Sequence, residues 1–505
     1  MLFYKTQPNI NMNLIKKQGI LNSISLYAGT AIGFLNLMII FQRSLTLEEI
    51  GFYNILIALV LLYIQFATLG ISNVITRFLP IFRTRDNHHH GFATYIYAIC
   101  AITFSIFSIG FFILKDEVIA LKAPDGEASS LMDRYYPYFL PIAICATIYL
   151  IQESFARTAF RTIFPSFLRE VVLRLFSTVG AILIALGALT YKGFIDLYLA
   201  GNILIVLIIT WYLYKIKVYK FARPEPILKK EYIHMLRFGF YSMLGGSSFA
   251  LLQNLDVIIL KVFMGEGMVG IYATFFAMAQ IITLSSRALN ITSYQIIANA
   301  WKENDLGKIG KIYKKTTLIQ CLAGSILLIG LIVNKDNLLI LLKKPEYPGY
   351  FDVLIIVGLA FLVDATGGIN QAIIGFSKQY RLVMIFLLLA AVACCLFNIL
   401  LIPMYGLEGA AFSYLLTMLL TNFSFWLYLK LTFKLQPFNF KIVLIITISI
   451  ISLVVGHYIP KAPHFILDIA IRSSIVGLIF GILTYYFRIS TDINEMIDKY
   501  IVRRK

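Results

Sequence analysis

Charged residues are scarce in this chain of 505 residues. Asp, Glu, Lys and Arg together make up 14% of it, hydrophobic residues make up 59%, and the mean hydropathy is +0.81. Soluble globular domains carry about 25% charged and about 45–50% apolar residues. The composition therefore excludes an ordinary soluble fold, and it also excludes a disordered chain, which needs low hydrophobicity. The class that remains is a membrane protein with many spans.

Cysteine is scarce as well, and several chemical motifs are missing from the sequence. Five cysteines, all inside apolar runs, are too few for a disulfide scaffold, and we interpret them as buried thiols. The sequence has no Gly-x-x-x-x-Gly-Lys-Ser/Thr motif for ATP and no Ser/His/acid set with catalytic spacing. The His88-His89-His90 run has only Asp86 nearby. These absences argue against an enzyme, and we expect neither a cofactor nor a metal centre.

Long apolar runs are abundant. A helix needs about 20 apolar residues to cross about 30 Å of hydrocarbon, whereas porin-type strands alternate over about ten residues. We predict fourteen membrane-spanning helices, at residues 20–41, 55–76, 92–114, 135–155, 171–190, 196–214, 238–260, 271–295, 317–334, 351–376, 382–402, 409–429, 442–459 and 466–487.

The distribution of basic residues predicts the orientation in the bilayer. If the N-terminus is cytoplasmic, both tails and every second loop are internal, and these segments hold most of the Lys and Arg. The internal loop 215–237 alone has seven. The net charge of +18, which in a soluble protein would suggest nucleic acid, is explained by this asymmetry. Residues 1–19 are polar and 20–41 is long enough to span, so we expect no cleavable signal.

The chain repeats itself at an offset of about 220 residues. The first and seventh spans place similar residues in register: Asn22 and Ser242, Gly33 and Gln253, Asn36 and Asp256. Gly51-Phe52-Tyr53 and Gly270-Ile271-Tyr272 match at an offset of 219. Chance similarity between Leu/Ile-rich helices is the alternative. Transporters built from parallel repeats of this kind bind substrate where the two halves meet, so we expect a transporter.

We predict an all-α integral membrane fold of two pseudo-symmetric six-helix bundles and a C-terminal helix pair. The predicted domains are an N-terminal bundle over 1–214, a basic cytoplasmic linker over 215–237, a C-terminal bundle over 238–429, and the helix pair with a cytoplasmic tail over 430–505.

Three charged residues, Asp256, Arg287 and Asp364, are assigned to the interiors of spans. An ionised residue at mid-membrane costs at least about 2.5–3.5 kcal/mol on insertion scales, so it is kept where it faces water, a partner or a substrate. At about 1.5 Å per residue, Arg287 lies about 24 Å from the external end of its span. Two structural alternatives stay open: an ion pair between Arg287 and Asp364, and an Asp256 that reaches the external interface near Lys261.

Uncharged polar side chains and further arginines are secondary candidates. Asn36, Gln253 and Gln371 lie within spans, and interhelical hydrogen bonding is the structural alternative for Asn36 and Gln371. A series of arginines is interpreted as a topology signal, with contact to phosphate as the alternative: Arg157, Arg161, Arg169 and Arg174.

Three sequence motifs resemble bacterial polysaccharide-unit flippases of the multidrug/oligosaccharidyl-lipid/polysaccharide exporter superfamily. Residues 45–53 (Leu-Thr-Leu-Glu-Glu-Ile-Gly-Phe-Tyr) resemble the loop after their first helix. Asp256 with residues 270–272 (Gly-Ile-Tyr) resembles their seventh helix and its following loop. Residues 398–411 (Asn-Ile-Leu-Leu-Ile-Pro-Met-Tyr-Gly-Leu-Glu-Gly-Ala-Ala) resemble the turn between their eleventh and twelfth helices. The likeness covers nearly the whole chain.

The resemblance implies that the protein moves undecaprenyl-diphosphate-linked sugar repeat units to the outer leaflet of the bacterial inner membrane. On this hypothesis Arg287, helped by Arg77 at the internal mouth, attracts the diphosphate. Hydrogen bonds to the sugar come from three further residues: Asn36, Gln253 and Gln371.

Asp256 or Asp364 binds a coupling proton or sodium ion on the same hypothesis, and the polysaccharide polymerase machinery is an expected partner. A drug or metabolite cation exporter of the same superfamily is the nearest alternative. A membrane polysaccharide polymerase or ligase is a further alternative.

Overall fold

The computed structural model describes residues 12–113 and 131–490, together with Asn494, Glu495 and Asp498. These residues form two compact units. The first unit holds the described residues up to Asn254 and the segment Gly265–Gly270, and the second holds Leu255–Met264 and the described residues from Ile271 onward. The domain boundaries at 214, 237 and 429 stay predictions.

All regular secondary structure in the described residues is helical. Helices up to the linker are α1 (Met12–Leu35), α2 (Phe41–Ser44), α3 (Leu47–Ala67), α4 (Ile71–Phe78), α5 (Phe92–Ile113), α6 (Leu131–Tyr135), α7 (Phe139–Thr158), α8 (Ile163–Phe167), α9 (Leu173–Ala185) and α10 (Tyr191–Lys215). After the linker come α11 (Pro226–Ala279), α12 (Leu284–Lys302), α13 (Leu306–Val333), α14 (Lys335–Leu342), α15 (Phe351–Thr366), α16 (Asn370–Phe376), α17 (Arg381–Phe433), α18 (Phe440–Tyr458) and α19 (Phe465–Tyr486).

Eleven helical stretches of the described chain are long and apolar enough to cross a bilayer. Two long helices contain a break: α11 at Gly265 (φ 80°, ψ −179°) and α17 at Gly406 (φ 58°, ψ −130°), backbone conformations open to glycine because it has no Cβ. If each of these two helices is counted as two crossings, and residues 163–185 as one more, the structure is compatible with fourteen crossings.

Two predicted spans are interrupted in the structure. The prediction of one continuous helix over 351–376 is wrong, because α15 ends at Thr366 and α16 begins only at Asn370, with Gly368 at φ +65° between them. The predicted span 55–76 begins earlier, at Leu47, and breaks between α3 and α4. Periodicity does not reveal such breaks, since the apolar pattern continues across them.

The 45–53 motif forms the start of α3. The Thr46 side chain accepts a hydrogen bond from the Glu49 amide, and the Glu49 carboxylate accepts one from the Thr46 amide, which is a capping box. Gly51 lies against the backbone of Glu266, and a methyl group there would overlap the Glu266 carbonyl oxygen. The motif therefore encodes a helix start and a close helix crossing in the first unit.

The C-terminal helix pair packs on α13. Buried Cys321 and Ile329 of α13 share an apolar cluster with Ile445 and Ile448 of α18 and with Val476 of α19. The pair is thus part of the second unit.

The His88-His89-His90 run is part of a loop that is tied to the linker of the first unit. Nδ1 of His89 accepts from the Thr84 amide at 3.1 Å, so its Nε2 carries the proton and donates to the Val218 carbonyl at 2.9 Å. Nδ1 of His90 lies 2.6 Å from the Glu225 carboxylate. The described residues contain no group of three or more His, Cys, Asp or Glu side chains suited to a metal ion.

Candidate functional site

Asp256 lies in the interior of the second unit, with a set of three hydrogen-bond donors. Its side chain accepts from Asn398 Nδ2 at 2.6 Å, from the Tyr272 hydroxyl at 3.1 Å and from Cys394 Sγ at 3.3 Å. Asp256 is only 3% exposed, and all three partners are buried. A buried carboxylate of this kind is stabilised by its donors rather than by water. The alternative of an Asp256 that reaches the external interface does not fit these contacts.

Two of the sequence motifs converge on this carboxylate. Tyr272 is the last residue of the 270–272 motif, and Asn398 is the first residue of the 398–411 motif. The latter motif then turns at Gly406 and brings the two halves of α17 together, where a methyl group at Gly409 would overlap the Leu401 carbonyl oxygen. The motifs therefore belong to one structural site around Asp256.

The first unit contains a matching arrangement at the same offset. There the Thr178 hydroxyl donates to Asn36 Oδ1 at 2.8 Å, and Asn36 Nδ2 donates to the Arg174 carbonyl at 3.3 Å. Asn36 and Asp256 are 220 residues apart, and so are Thr178 and Asn398. The internal repeat is thus expressed in equivalent hydrogen bonds within each unit, with a neutral amide in the first and a carboxylate in the second.

Asn36 occupies a π-helical turn, Asn36–Ile40, and is buried. Its oxygen and its nitrogen are both used in bonds to the helix that carries Arg174 and Thr178. This geometry is that of the interhelical alternative. A contact between Asn36 and sugar stays a prediction.

Asp364 lies near the end of α15, just before the helix break. Its side chain is exposed and accepts from Asn422 Nδ2 at 3.3 Å, and Asn422 Oδ1 in turn accepts from Asn370 Nδ2 at 2.9 Å. Gln371 follows on α16 with an exposed side chain. The second unit therefore presents one carboxylate and several amides around an interrupted helix, a setting in which non-helical backbone lines polar space rather than lipid.

The remaining predicted site residues are Arg287, Gln253 and Arg77. Arg287 is on α12, and its side chain lies outside the described residues, so its ion pair with Asp364 stays untested. Gln253 is half-buried in the first unit and makes no side-chain hydrogen bond within the described part of the chain. Arg77 is exposed on α4, with its guanidinium 4.4 Å from the ring centroid of Phe238.

Two arginines of the predicted series form a charged cluster in the first unit with two glutamates that the sequence did not single out. Arg169 Nη1 donates to buried Glu153 at 2.6 Å, Arg169 Nε donates to Glu170 at 3.3 Å, and Arg174 Nη2 donates to Glu170 at 3.2 Å. The signal was present in the sequence: Glu153 and Arg174 fall inside the predicted spans 135–155 and 171–190.

This charged cluster borders a cavity of about 510 Å³ in the first unit. Arg169, Glu170 and Arg174 line one wall, and leucine and isoleucine side chains of α3 and α7 line others, among them Leu56 and Ile142. The volume is within the usual range for ligand pockets, about 300–1,000 Å³.

Removing Asn398, which makes the shortest hydrogen bond to Asp256, provides a test of this site. We expect Asn398→Ala to lower the free energy of unfolding by about 1.5–3 kcal/mol, because hydrogen bonds to charged groups contribute that much. Unfolding in mixed detergent micelles measures the change. Asn254→Ala is the matched control, since the Asn254 side chain donates only to the carbonyl one turn earlier, at 2.9 Å. Equal stability of Asn398→Ala and the wild type would contradict the assigned role.

Several solved structures have a fold similar to that of this chain. A lipid II flippase, MurJ, in an inward closed conformation matches at 15% identity over 93% of this chain and 100% of that chain, with a TM-score of 0.75. A multidrug resistance MATE transporter in an inward-facing conformation matches at 15% identity over 82% of this chain and 98% of that chain, with a TM-score of 0.64. A transporter of the MOP superfamily from Pyrococcus furiosus matches at 14% identity over 85% and 99%, with a TM-score of 0.55. At these identities the likeness establishes the fold alone, an all-helical membrane fold that those proteins share.

The sequence itself then gives the family. Residues 15–294, more than half of the chain, match the model of the polysaccharide biosynthesis protein family, and the chain belongs to that family. No match is found among curated proteins. The family predicted from the three motifs is confirmed, and so is the all-helical membrane fold.

Proposed function

We propose that this protein is a flippase that moves undecaprenyl-diphosphate-linked oligosaccharide repeat units across the bacterial inner membrane for surface polysaccharide biosynthesis. The observation that carries the proposal is the combination of a polysaccharide biosynthesis family with the fold of a lipid II flippase over 93% of the chain. Alternating access of two units accounts for movement of a polar glycan through the bilayer. Both termini face the cytoplasm on this proposal.

The proposed division of roles follows the chemistry of the substrate. Arg287 and exposed Arg77 attract the diphosphate, because guanidinium groups bind phosphate oxygens with paired hydrogen bonds. Exposed Gln371 and half-buried Gln253 donate to sugar hydroxyls. Asn36 is the weaker candidate, since its side chain is already bonded within the first unit.

Ion coupling is proposed at Asp256, with Asp364 as the second candidate. Asn398 Oδ1 is buried and has no hydrogen-bond partner within the described residues, and its Nδ2 lies 2.6 Å from Asp256 Oδ1. A carboxylate next to an unused carbonyl oxygen can coordinate a sodium ion through both oxygens. Alternatively, the buried carboxylate itself can carry the coupling proton.

The cation exporter of the same superfamily is the second candidate, and the MATE fold likeness favours it. Such a protein would need a cavity with net negative charge. The cavity of the first unit instead has two arginines and one glutamate in its lining, one net positive charge. This charge favours an anionic substrate and hence the flippase.

A deletion strain tests the proposal. We expect the lipid-linked repeat unit to accumulate in the deletion strain and to be consumed again, by the polysaccharide polymerase machinery, when the wild-type gene is restored. When Arg287→Ala is expressed in the deletion strain at the wild-type protein level, its flux should be at least about tenfold lower than that of the wild type. One charge-assisted contact contributes about 1.5–3 kcal/mol. Arg287→Lys, which keeps the charge, is the control. Absence of accumulation would contradict the proposal, and full rescue by Arg287→Ala would remove only that residue from it.

A further inference from the structure

The cavity of the first unit has one charged wall, which is formed by a π-helical turn. Residues Leu168–Val172 are π-helical between α8 and α9, so Arg169 and Glu170 lie in the bulge and Arg174 follows one turn later. Such bulges occur frequently at functional sites. The arginines lie about 9 Å and about 16 Å along the helical rod from Ile163, the end predicted to be internal. On the predicted orientation, Arg174 lies within the span 171–190 and Arg169 lies just before its internal end, which is the side on which a lipid carrier would enter.

The arginines have hydrogen-bonding capacity to spare. A guanidinium has five N–H donors. Arg169 uses two of them, on Glu153 and Glu170, and 45% of its side chain is exposed. Arg174 also uses two, on the Gly29 carbonyl and on Glu170. Gly29 permits this contact because a methyl group there would overlap the backbone of Glu170.

Glu170 bridges the two arginines in the structure. Its two carboxylate oxygens lie 3.3 Å from Arg169 Nε and 3.2 Å from Arg174 Nη2. The position between two guanidinium groups is suited to an anion with several oxygens. Buried Glu153 holds Arg169 from the other side, so Arg169 keeps one acidic partner when Glu170 is displaced.

The opposite walls of the cavity are aliphatic. Leu56, Val60 and Ile64 of α3 and Leu150 of α7 line it without any charged group. A cavity of about 510 Å³ is too small for a lipid-linked oligosaccharide but is within the range of a small ligand. A wall with two guanidinium groups, once Glu170 is displaced, and an aliphatic wall together fit a diphosphate joined to a few prenyl units.

We propose that Arg169 and Arg174 form a prenyl diphosphate subsite within the first unit, in which the ligand's diphosphate replaces Glu170 between the two guanidinium groups. Glu170 is then a resident anion that neutralises the arginines until the substrate arrives. This proposal rests on the proposed function and deepens it, because it places the first capture of the carrier lipid in the first unit rather than at Arg287.

Binding of farnesyl diphosphate to the purified full-length protein in detergent tests the subsite. Inorganic pyrophosphate and farnesol are measured alongside, to separate the diphosphate from the prenyl chain. We expect farnesyl diphosphate to bind more tightly than either. Arg169→Gln and Arg174→Gln should each weaken it by at least about tenfold, as expected for loss of a charge-assisted contact.

Substitution of the resident anion, Glu170, should change the affinity for farnesyl diphosphate in the opposite direction. Glu170→Gln removes the competitor and should tighten farnesyl diphosphate binding by about threefold or more, since screening and a remaining hydrogen bond reduce the full effect. A purely structural cluster would instead weaken binding in all three variants. Arg85→Gln, an exposed arginine of the internal loop, and Glu231→Gln are the matched controls. Melting temperature is followed for every variant.

Three results would overturn the subsite: wild-type affinity in both arginine variants, weaker binding in Glu170→Gln, or no binding of farnesyl diphosphate by the wild-type protein. Flux of the lipid-linked glycan in vesicles then decides separately whether the proposed function stands, because a flippase without this subsite would still transport.

Discussion

Asp256→Asn is expected to abolish the response of transport to an ion gradient while the protein stays folded. The amide oxygen of asparagine can still accept from Asn398, which lies 2.6 Å from one carboxylate oxygen of Asp256. Its NH2 group replaces the other oxygen, 3.1 Å from the Tyr272 hydroxyl, and can donate to that hydroxyl instead. The amide cannot bind a proton or compensate a cation. A potential of about 100 mV acting on one charge corresponds to about 2.3 kcal/mol, or about a 50-fold accumulation ratio. We expect this ratio to fall to one in the variant.

The measurement uses vesicles with labelled lipid-linked glycan, in which proton and sodium gradients are imposed and dissipated separately. Asp352→Asn is the control, since Asp352 is an exposed carboxylate in the first turn of α15. If transport by Asp256→Asn depends on the gradients as wild-type transport does, Asp256 has no role in ion coupling. If wild-type transport depends on neither gradient, Asp364 has no such role either.

Asp468→Ala is expected to lower the free energy of unfolding by about 3–5 kcal/mol, because breaking a buried ion pair leaves one charge uncompensated. Asp468 lies 2.8 Å from Arg472 Nε and accepts from Asn337 Nδ2 at 2.6 Å. Arg472 also donates to the carbonyls of Gly456 and Ile459, at 3.2 and 2.8 Å. This network fastens α19 to the end of α18 and to α14.

The double variant Asp468→Leu/Arg472→Leu should be more stable than either single alanine variant, since no unpaired charge remains. Asp336→Ala is the control. Asp336 pairs with Lys461 at 2.5 Å, but both side chains are largely exposed, so we expect a loss below about 1 kcal/mol. Thermal unfolding in one detergent compares these four variants with the wild type. Wild-type stability of Asp468→Ala or of Arg472→Ala would contradict the buried network.

The sequence predicts the fold class because hydrophobicity in a bilayer is a local property. Each apolar run of about 20 residues is sufficient to predict a span. Breaks are harder to predict: Gly368 interrupts the span 351–376 although the apolar pattern runs through it. The bend follows from backbone conformation and packing, which periodicity does not report.

The sequence predicts only part of the site around Asp256. Asp256 itself is predictable because it is a charged residue within an apolar run. Its partner Asn398 is 142 residues away and is brought close by the fold of the second unit. The 220-residue repeat relates Asn398 to Thr178, just as it relates Asp256 to Asn36. This relation is recognised only when the hydrogen bonds of the two pairs are compared.

The charged wall of the first unit is hard to predict for a different reason. Arg169 and Arg174 belong to an arginine series that also fits a topology signal, because basic residues cluster at internal span ends. The acidic partners decide between these interpretations. Glu153 is buried beside Arg169, and a topology signal needs no such partner.

Flux of a labelled undecaprenyl-diphosphate-linked repeat unit across vesicles that contain only this protein tests the central claim most directly. The account predicts that the glycan becomes accessible to an impermeant modifying enzyme on the opposite face, at a rate proportional to the amount of protein. Transfer no faster than in protein-free vesicles would contradict it.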